Sequence, residues 1–100
     1  LQTFASEGDM ALIDQRWQEH GQQFLKRLSE QGLLSFERAQ IWNKESKVMR
    51  FIIFRYQSAD AVKKCAPIWK EVEKTIFKNA GVKVTAYRGV SMEYWVQEKD

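Results

Sequence analysis

A chain of 100 residues is one domain's worth of sequence and leaves no room for a second hydrophobic core. Apolar residues at 44% and charged residues at 29% are globular proportions and exclude a disordered chain. The formal charge of +3 comes from basic residues interleaved with acids, as in Lys70-Glu71-Val72-Glu73-Lys74, so no basic patch points to nucleic acid.

The longest clear apolar run, Phe51-Ile52-Ile53-Phe54, falls far short of the roughly 18 residues a membrane span needs. The N-terminal residues lack the apolar h-region of a signal peptide, and the start at Leu1 rather than Met leaves upstream residues open. Cys65, the single cysteine, has no partner for an intrachain disulfide, which suits a reducing, cytoplasmic home. The sequence carries no glycine-rich phosphate loop, no His/Cys/carboxylate spacing for a metal and no Ser-His-Asp spacing, so no cofactor or metal is expected.

In chain order, Leu1 to Ala5 reads as extended. Ser6-Glu7-Gly8-Asp9 then supplies side chains able to cap a helix start. Ile13, Trp17, His20, Phe24 and Leu28 recur at three- and four-residue steps, which predicts a helix with that stripe towards the core. Gly32 should end it, since glycine takes the left-handed conformation of a helix end. Leu33 to Trp42 has strand composition with imperfect alternation, suggesting a bulge near Glu37-Arg38. Asn43 to Lys47 is turn-like.

Val48 to Tyr56 is the most strand-like stretch, with Met49, Phe51 and Ile53 on one face and Val48, Ile52, Phe54 and Tyr56 on the other. Ser58 caps a second helical region with the stripe Val62, Cys65, Trp69, Val72, Ile76 and Ala80. Proline is costly inside a helix and welcome in a first turn, so Pro67 predicts a short turn over 59–65 and a longer helix from Pro67 to Asn79, ended by Gly81. Val82, Val84 and Ala86 alternate as a strand, Gly89 breaks it, and Val90 to Val96 reads as aromatic and extended.

The order is β-α-β-β-α-β with an extra C-terminal strand: a single ferredoxin-like α+β domain over residues 1–100, an antiparallel sheet with two helices on one face. A third strand apolar on both sides asks for cover on the second sheet face as well. With 13 aromatic residues on so short a chain, a second copy meeting that face is the simplest cover, giving a homodimer.

Three pieces of the chain carry a resemblance. They are the extended start with Glu7-Gly8 leading into the first helix, Gly32-Leu33-Leu34-Ser35-Phe36-Glu37 at the helix-to-strand turn, and Phe54-Arg55-Tyr56-Gln57-Ser58-Ala59-Asp60-Ala61 leading into a helix that contains Ala66-Pro67. Together they resemble the dimeric α/β-barrel superfamily, which includes antibiotic-biosynthesis-type and haem-degrading monooxygenases. The resemblance implies two sheets face to face and a pocket between each sheet and its helices. Haem-degrading members use an asparagine of the first strand, a tryptophan near the end of the third and a histidine of the second helix. Here the first strand holds Gln2, Thr3 and Phe4, the third ends in Phe54-Arg55-Tyr56, and the second helix has no histidine. Haem chemistry is therefore not expected, whereas cofactor-independent, monooxygenase-like oxidation of an aromatic or polyketide-like ligand stays open.

The candidate site residues each have a structural alternative. His20, the only histidine, could exchange protons with a ligand in a sheet–helix pocket, or be a hydrogen-bonded core residue. Arg55 could hold an anionic group, or an interface ion pair. Trp17, Trp69 and Tyr56 could wall a pocket for a small apolar or aromatic ligand, or simply pack. Cys65 reads as structural, and Tyr87, Tyr94 and Trp95 as interface residues. The rival to a ligand-binding domain is a non-catalytic interaction module that uses its sheet face only to dimerise.

Overall fold

The computed structural model describes residues 1–42 and 48–97. Its elements run β1 (Gln2–Phe4), α1 (Glu7–Glu30), β2 (Leu33–Gln40), β3 (Val48–Tyr56), α2 (Ala59–Ile76) and β4 (Val82–Val84). The strands form one antiparallel sheet in the order β2-β3-β1-β4, so each β-α-β unit straddles one strand. This is the expected ferredoxin-like plan. The turn expected over Asn43 to Lys47 lies outside the described residues.

Ser6 starts α1 as its sequence suggests: extended at φ −156°, it accepts a hydrogen bond from the Asp9 amide at 3.1 Å. Asp9 returns the favour by accepting from the Ser6 hydroxyl at 2.7 Å and, with its other oxygen, from the Gly81 amide at 2.9 Å. The Ser6 cap thus satisfies a free helix amide, and Asp9 ties the helix start to the entry of β4. At the far end Gly32 takes φ +106°, and the amides of Gln31 and Gly32 bond back to Leu28 and Ser29 at 3.0 and 3.2 Å. The core lies between α1, α2 and the sheet, built from Phe4, Ile13, Phe24, Leu28, Leu33, Cys65, Ile68, Val72 and Ile76.

Four expectations are corrected. The buried stripe of α1 passes through Gly21 rather than His20, which stands half-exposed, because at this point a small residue is needed beneath Trp17. The irregularity in β2 falls between Leu33 and Ser35, not near Glu37-Arg38: Leu33 pairs with Tyr56 and Ser35 with Arg55, leaving Leu34 as the extra residue. Regular pairing then continues to Gln40 because the inward Arg38 and Gln40 find polar partners. The second helix is continuous from Ala59 through Pro67 and stops at Ile76, with Asn79, not Gly81, taking the left-handed turn at φ 56°.

Pro67 is tolerated because it sits on the exposed side of α2, where water can satisfy the carbonyl of Lys63 that loses its helical donor. Pro67→Ala is expected to raise stability by about 1–3 kcal/mol, less than the full interior proline penalty because the helix has adapted to it. A higher urea midpoint at unchanged slope is the readout. No gain would mean that a bend at Pro67 is needed for the fit of α2 on the sheet.

Beyond β4 the Thr85 amide still bonds to the Leu1 carbonyl at 2.9 Å. The C-terminal strand of the plan is β4 itself. The aromatic stretch Val90 to Val96 makes no strand ladder with the described residues and stands exposed. No described helix is long and apolar enough to cross a membrane.

Candidate functional site

Strand pleating places Phe36, Arg38 and Gln40 of β2 beside Phe54, Ile52 and Arg50 of β3, all facing the helices. This inner surface is divided along the strands into an aromatic end and a charged end. At the aromatic end Trp17 of α1 stacks on Phe36 (ring centroids 5.2 Å apart) and Phe36 on Phe54 (5.7 Å). Phe54 in turn meets Trp69 of α2 at 4.6 Å. Trp69 donates its indole N–H to the Tyr56 hydroxyl at 2.8 Å, which fixes both side chains. Burial pushes the Tyr56 phenol above its usual range. Gly21 lets the Trp17 ring lie along α1, since a Cβ there would come within 2.7 Å of the indole. The five aromatic side chains are only partly covered, so they form a partly exposed aromatic cluster at the β2 side of the sheet, the candidate cleft.

At the charged end Asp14, one helical turn before Trp17, receives both terminal nitrogens of Arg50 and one of Arg38. The Arg50 Nη2 to Asp14 Oδ2 distance is 2.7 Å. Arg50 also donates through Nε to the Gln40 side-chain oxygen at 3.2 Å and lies 5.5 Å over the Phe4 ring. Its side chain is 11% exposed, which such pairing makes tolerable for a charge. Asp14, Arg38, Gln40 and Arg50 line a recess of about 300 Å³ open to solvent.

The Arg50 guanidinium beside Asp14 holds its carboxyl below the usual 3.8, against a smaller opposing effect of burial, with Arg38 adding to the lowering. A carboxyl lower in the folded than in the unfolded chain binds fewer protons when folded. Its contribution is whole above pH 3.8 and disappears as pH falls through the depressed value. Asp14→Asn should cost about 1–2 kcal/mol at pH 7, the lower part of the range because Asp14 stays partly solvated. It should also flatten the loss of stability below about pH 4. Asp9 and Glu71, lowered by Gly81 and Arg27 respectively, leave some acid dependence in the variant. Parallel acid-unfolding curves for parent and variant would contradict the assignment.

Of the residues singled out in the sequence, Trp17, Trp69 and Tyr56 come together, joined by Phe36 and Phe54. Arg55 does not: it points to the other sheet face, where its guanidinium sits 4.4 Å from the Tyr94 ring centroid. His20 also lies apart, with its Nε2 3.8 Å from the Glu19 carboxylate and 44% of its side chain exposed. Cys65 is fully buried against the Leu28 carbonyl, and burial pushes its thiol up, as suits a packing residue. Asp14, Arg38, Gln40 and Arg50 escaped the sequence reading. The available signal was Arg50 at an inward position of an otherwise apolar strand.

Residues 1–91 match a family model described as a domain of unknown function, DUF6974. The chain belongs to this family. A solved structure similar to this DUF6974 chain is that of a dimeric ferredoxin-like protein from an uncultured marine organism, at 22% identity and a TM-score of 0.78. The likeness covers 96% of this chain and 93% of that one, and at such identity it carries the fold alone. No curated protein matches the chain.

Proposed function

We propose that the protein is a homodimer whose two sheets meet face to face, and that its cleft binds a small aromatic ligand. One observation carries the reading: β3 is an interior strand of the sheet, yet Phe51 and Ile53 on its outer face are 50% and 47% exposed. An antiparallel sheet that ends in water shows polar residues there, so an apolar stripe down its middle calls for a protein surface. The solved ferredoxin-like neighbour is itself described as dimeric, which supports the same reading. Light scattering at micromolar concentration tests it, with a mass near twice 11.8 kDa expected and a monomer refuting it.

The ligand part rests on the partial exposure of the aromatic cluster of Trp17, Phe36, Phe54, Tyr56 and Trp69. Hydroquinone should quench tryptophan fluorescence saturably. Its oxidation by dioxygen without a cofactor, the finer form of the proposal, draws on the superfamily plan and predicts oxygen uptake. The His20 position argues for assigning any proton transfer to cleft groups before His20, and His20→Ala should leave hydroquinone binding unchanged. A lone buried thiol also suits a reducing, cytoplasmic setting.

A specific observation favours a second reading, a non-catalytic interaction module: the cleft rings fill one another's space at 4.6–5.7 Å. A dimer that neither binds hydroquinone nor loses fluorescence on titration would select it.

A further inference from the structure

We infer that the Arg38–Arg50 recess is a binding site for the carboxylate of a small aromatic acid, whose ring would lie on the Trp17–Phe36 stack. The inference deepens the ligand reading above by naming the ligand class and a site for its charge.

Two guanidinium groups converge on one carboxylate, Asp14, so the cluster carries one uncompensated positive charge among the described residues. Arg50 is fully engaged: two nitrogens on Asp14, the third on Gln40, and its face over Phe4. It is a fixed template that cannot swing out to meet water. Gln40 is oriented in turn, because its oxygen accepts from Arg50 and its amide nitrogen donates to the Met49 carbonyl at 3.3 Å.

Arg38 differs. It places one terminal nitrogen on Asp14, its side chain is 29% exposed, and no other hydrogen bond holds it among the described residues. A guanidinium offers five donors in a planar fork whose spacing fits a carboxylate. Arg38 is one of the four residues lining the open recess of about 300 Å³, a volume that admits a group of that size.

The neighbouring ring selects the rest of the ligand. Phe36 precedes Arg38 by two residues and shares its sheet face, about 6–7 Å along the strand. Asp14 and Trp17 are likewise one turn apart on α1, so the same two elements that build the charged end build the stacked wall. A ligand held by its carboxylate at Arg38 therefore has an aromatic surface beside it, as a simple anion would not need.

Benzoate, acetate and hydroquinone are the probes, titrated into isotope-labelled protein with the arginine Nε–H and Gln40 side-chain amide signals followed by NMR. Benzoate is expected to shift the Arg38 signal saturably and to bind at least tenfold tighter than acetate. Arg38→Gln, at a partly exposed position that leaves the Arg50–Asp14 pair in place, should weaken benzoate at least tenfold without changing hydroquinone affinity or the mass in solution. Arg38→Lys should recover part of the loss. The inference falls if benzoate leaves Arg38 unmoved, if acetate binds equally well, or if Arg38→Gln binds benzoate like the parent. If hydroquinone fails to bind while benzoate shifts Arg38, the neutral-ligand form of the cleft reading fails and the carboxylate site stands. If hydroquinone binds and benzoate does not, the reverse holds.

Discussion

Gly32→Ala is expected to destabilise the protein by about 2–5 kcal/mol, two effects adding at one position. Gly32 adopts φ +106°, where an L-residue pays about 1–2 kcal/mol for its Cβ. In addition, a Cβ at Gly32 would fall 2.5 Å from the Cβ of Ala61. That methyl is buried in the first turn of α2 and has no rotamer by which to withdraw, so the helix itself would have to move. Overpacking of this kind costs roughly 1–3 kcal/mol. The junction is also held by the Gln57 amide bonding to the Gly32 carbonyl at 2.8 Å, which limits how far the backbone can give.

Urea unfolding at unchanged slope is the measurement. Gly89→Ala is the control, with open space around it and an expected change within about 0.5 kcal/mol. The double variant Gly32→Ala with Ala61→Gly should recover the steric part, after allowing about 1 kcal/mol for glycine in a helix, and keep the backbone part. A Gly32→Ala protein as stable as its parent would mean that α1 and β2 join by a different turn.

Phe51→Glu is expected to convert the proposed dimer into a monomer while leaving each subunit folded. Phe51 is half-exposed in one copy, so the fold itself loses little. In a symmetric face-to-face dimer the residue occurs twice, and because each copy has only its exposed half left to bury, loss of the two phenylalanines removes about 1.5–3 kcal/mol. The dimer should therefore weaken roughly 10–10²-fold from this loss alone. Burying the two new carboxylates would weaken it further. The readouts are light scattering across a dilution series and urea unfolding of the resulting monomer. Val90→Glu is an informative companion, because Val90 is also exposed but belongs to the C-terminal stretch without a ladder. A dimer that survives Phe51→Glu and dissociates with Val90→Glu would move the interface from the sheet face to the C-terminal segment.

Much of the architecture was legible because local chemistry and long-range packing agree. Ser6 and Ser58 are N-caps in the sequence and in the fold, Gly32 ends α1 as a left-handed residue, and Val48–Tyr56 is a strand to the residue. Hydrophobic periodicity failed where a neighbour changed the requirement. His20 sits at a helical step that predicts burial, but the buried residue on this turn is Gly21, whose lack of a side chain makes room for the Trp17 indole. Pro67 predicts a break, but a proline on the wet side of a helix whose other side holds Cys65, Ile68 and Val72 against the core is carried by that packing.

The candidate site was half legible for a similar reason. Trp17, Tyr56 and Trp69 announce themselves as large amphipathic residues on inward stripes. Arg38 and Asp14 do not, because surface charges on a strand and a helix look the same in sequence whether they meet water or each other. Their meeting depends on the one-residue bulge at Leu34, which sets the parity of everything after it in β2 and turns Arg38 and Gln40 towards Asp14 and Arg50.

The sequence by itself determined the element order, the helix caps and the two-faced apolar character of β3, since these follow from backbone preference and from side-chain periodicity within a single segment. Tertiary structure decided which residues meet: that Arg55 turns away to Tyr94, that Asp14 collects two arginines, and that five aromatic side chains from four elements share one cluster. Those outcomes depend on strand register and on the placement of α1 and α2 over the sheet, quantities set by the packing of all the segments together.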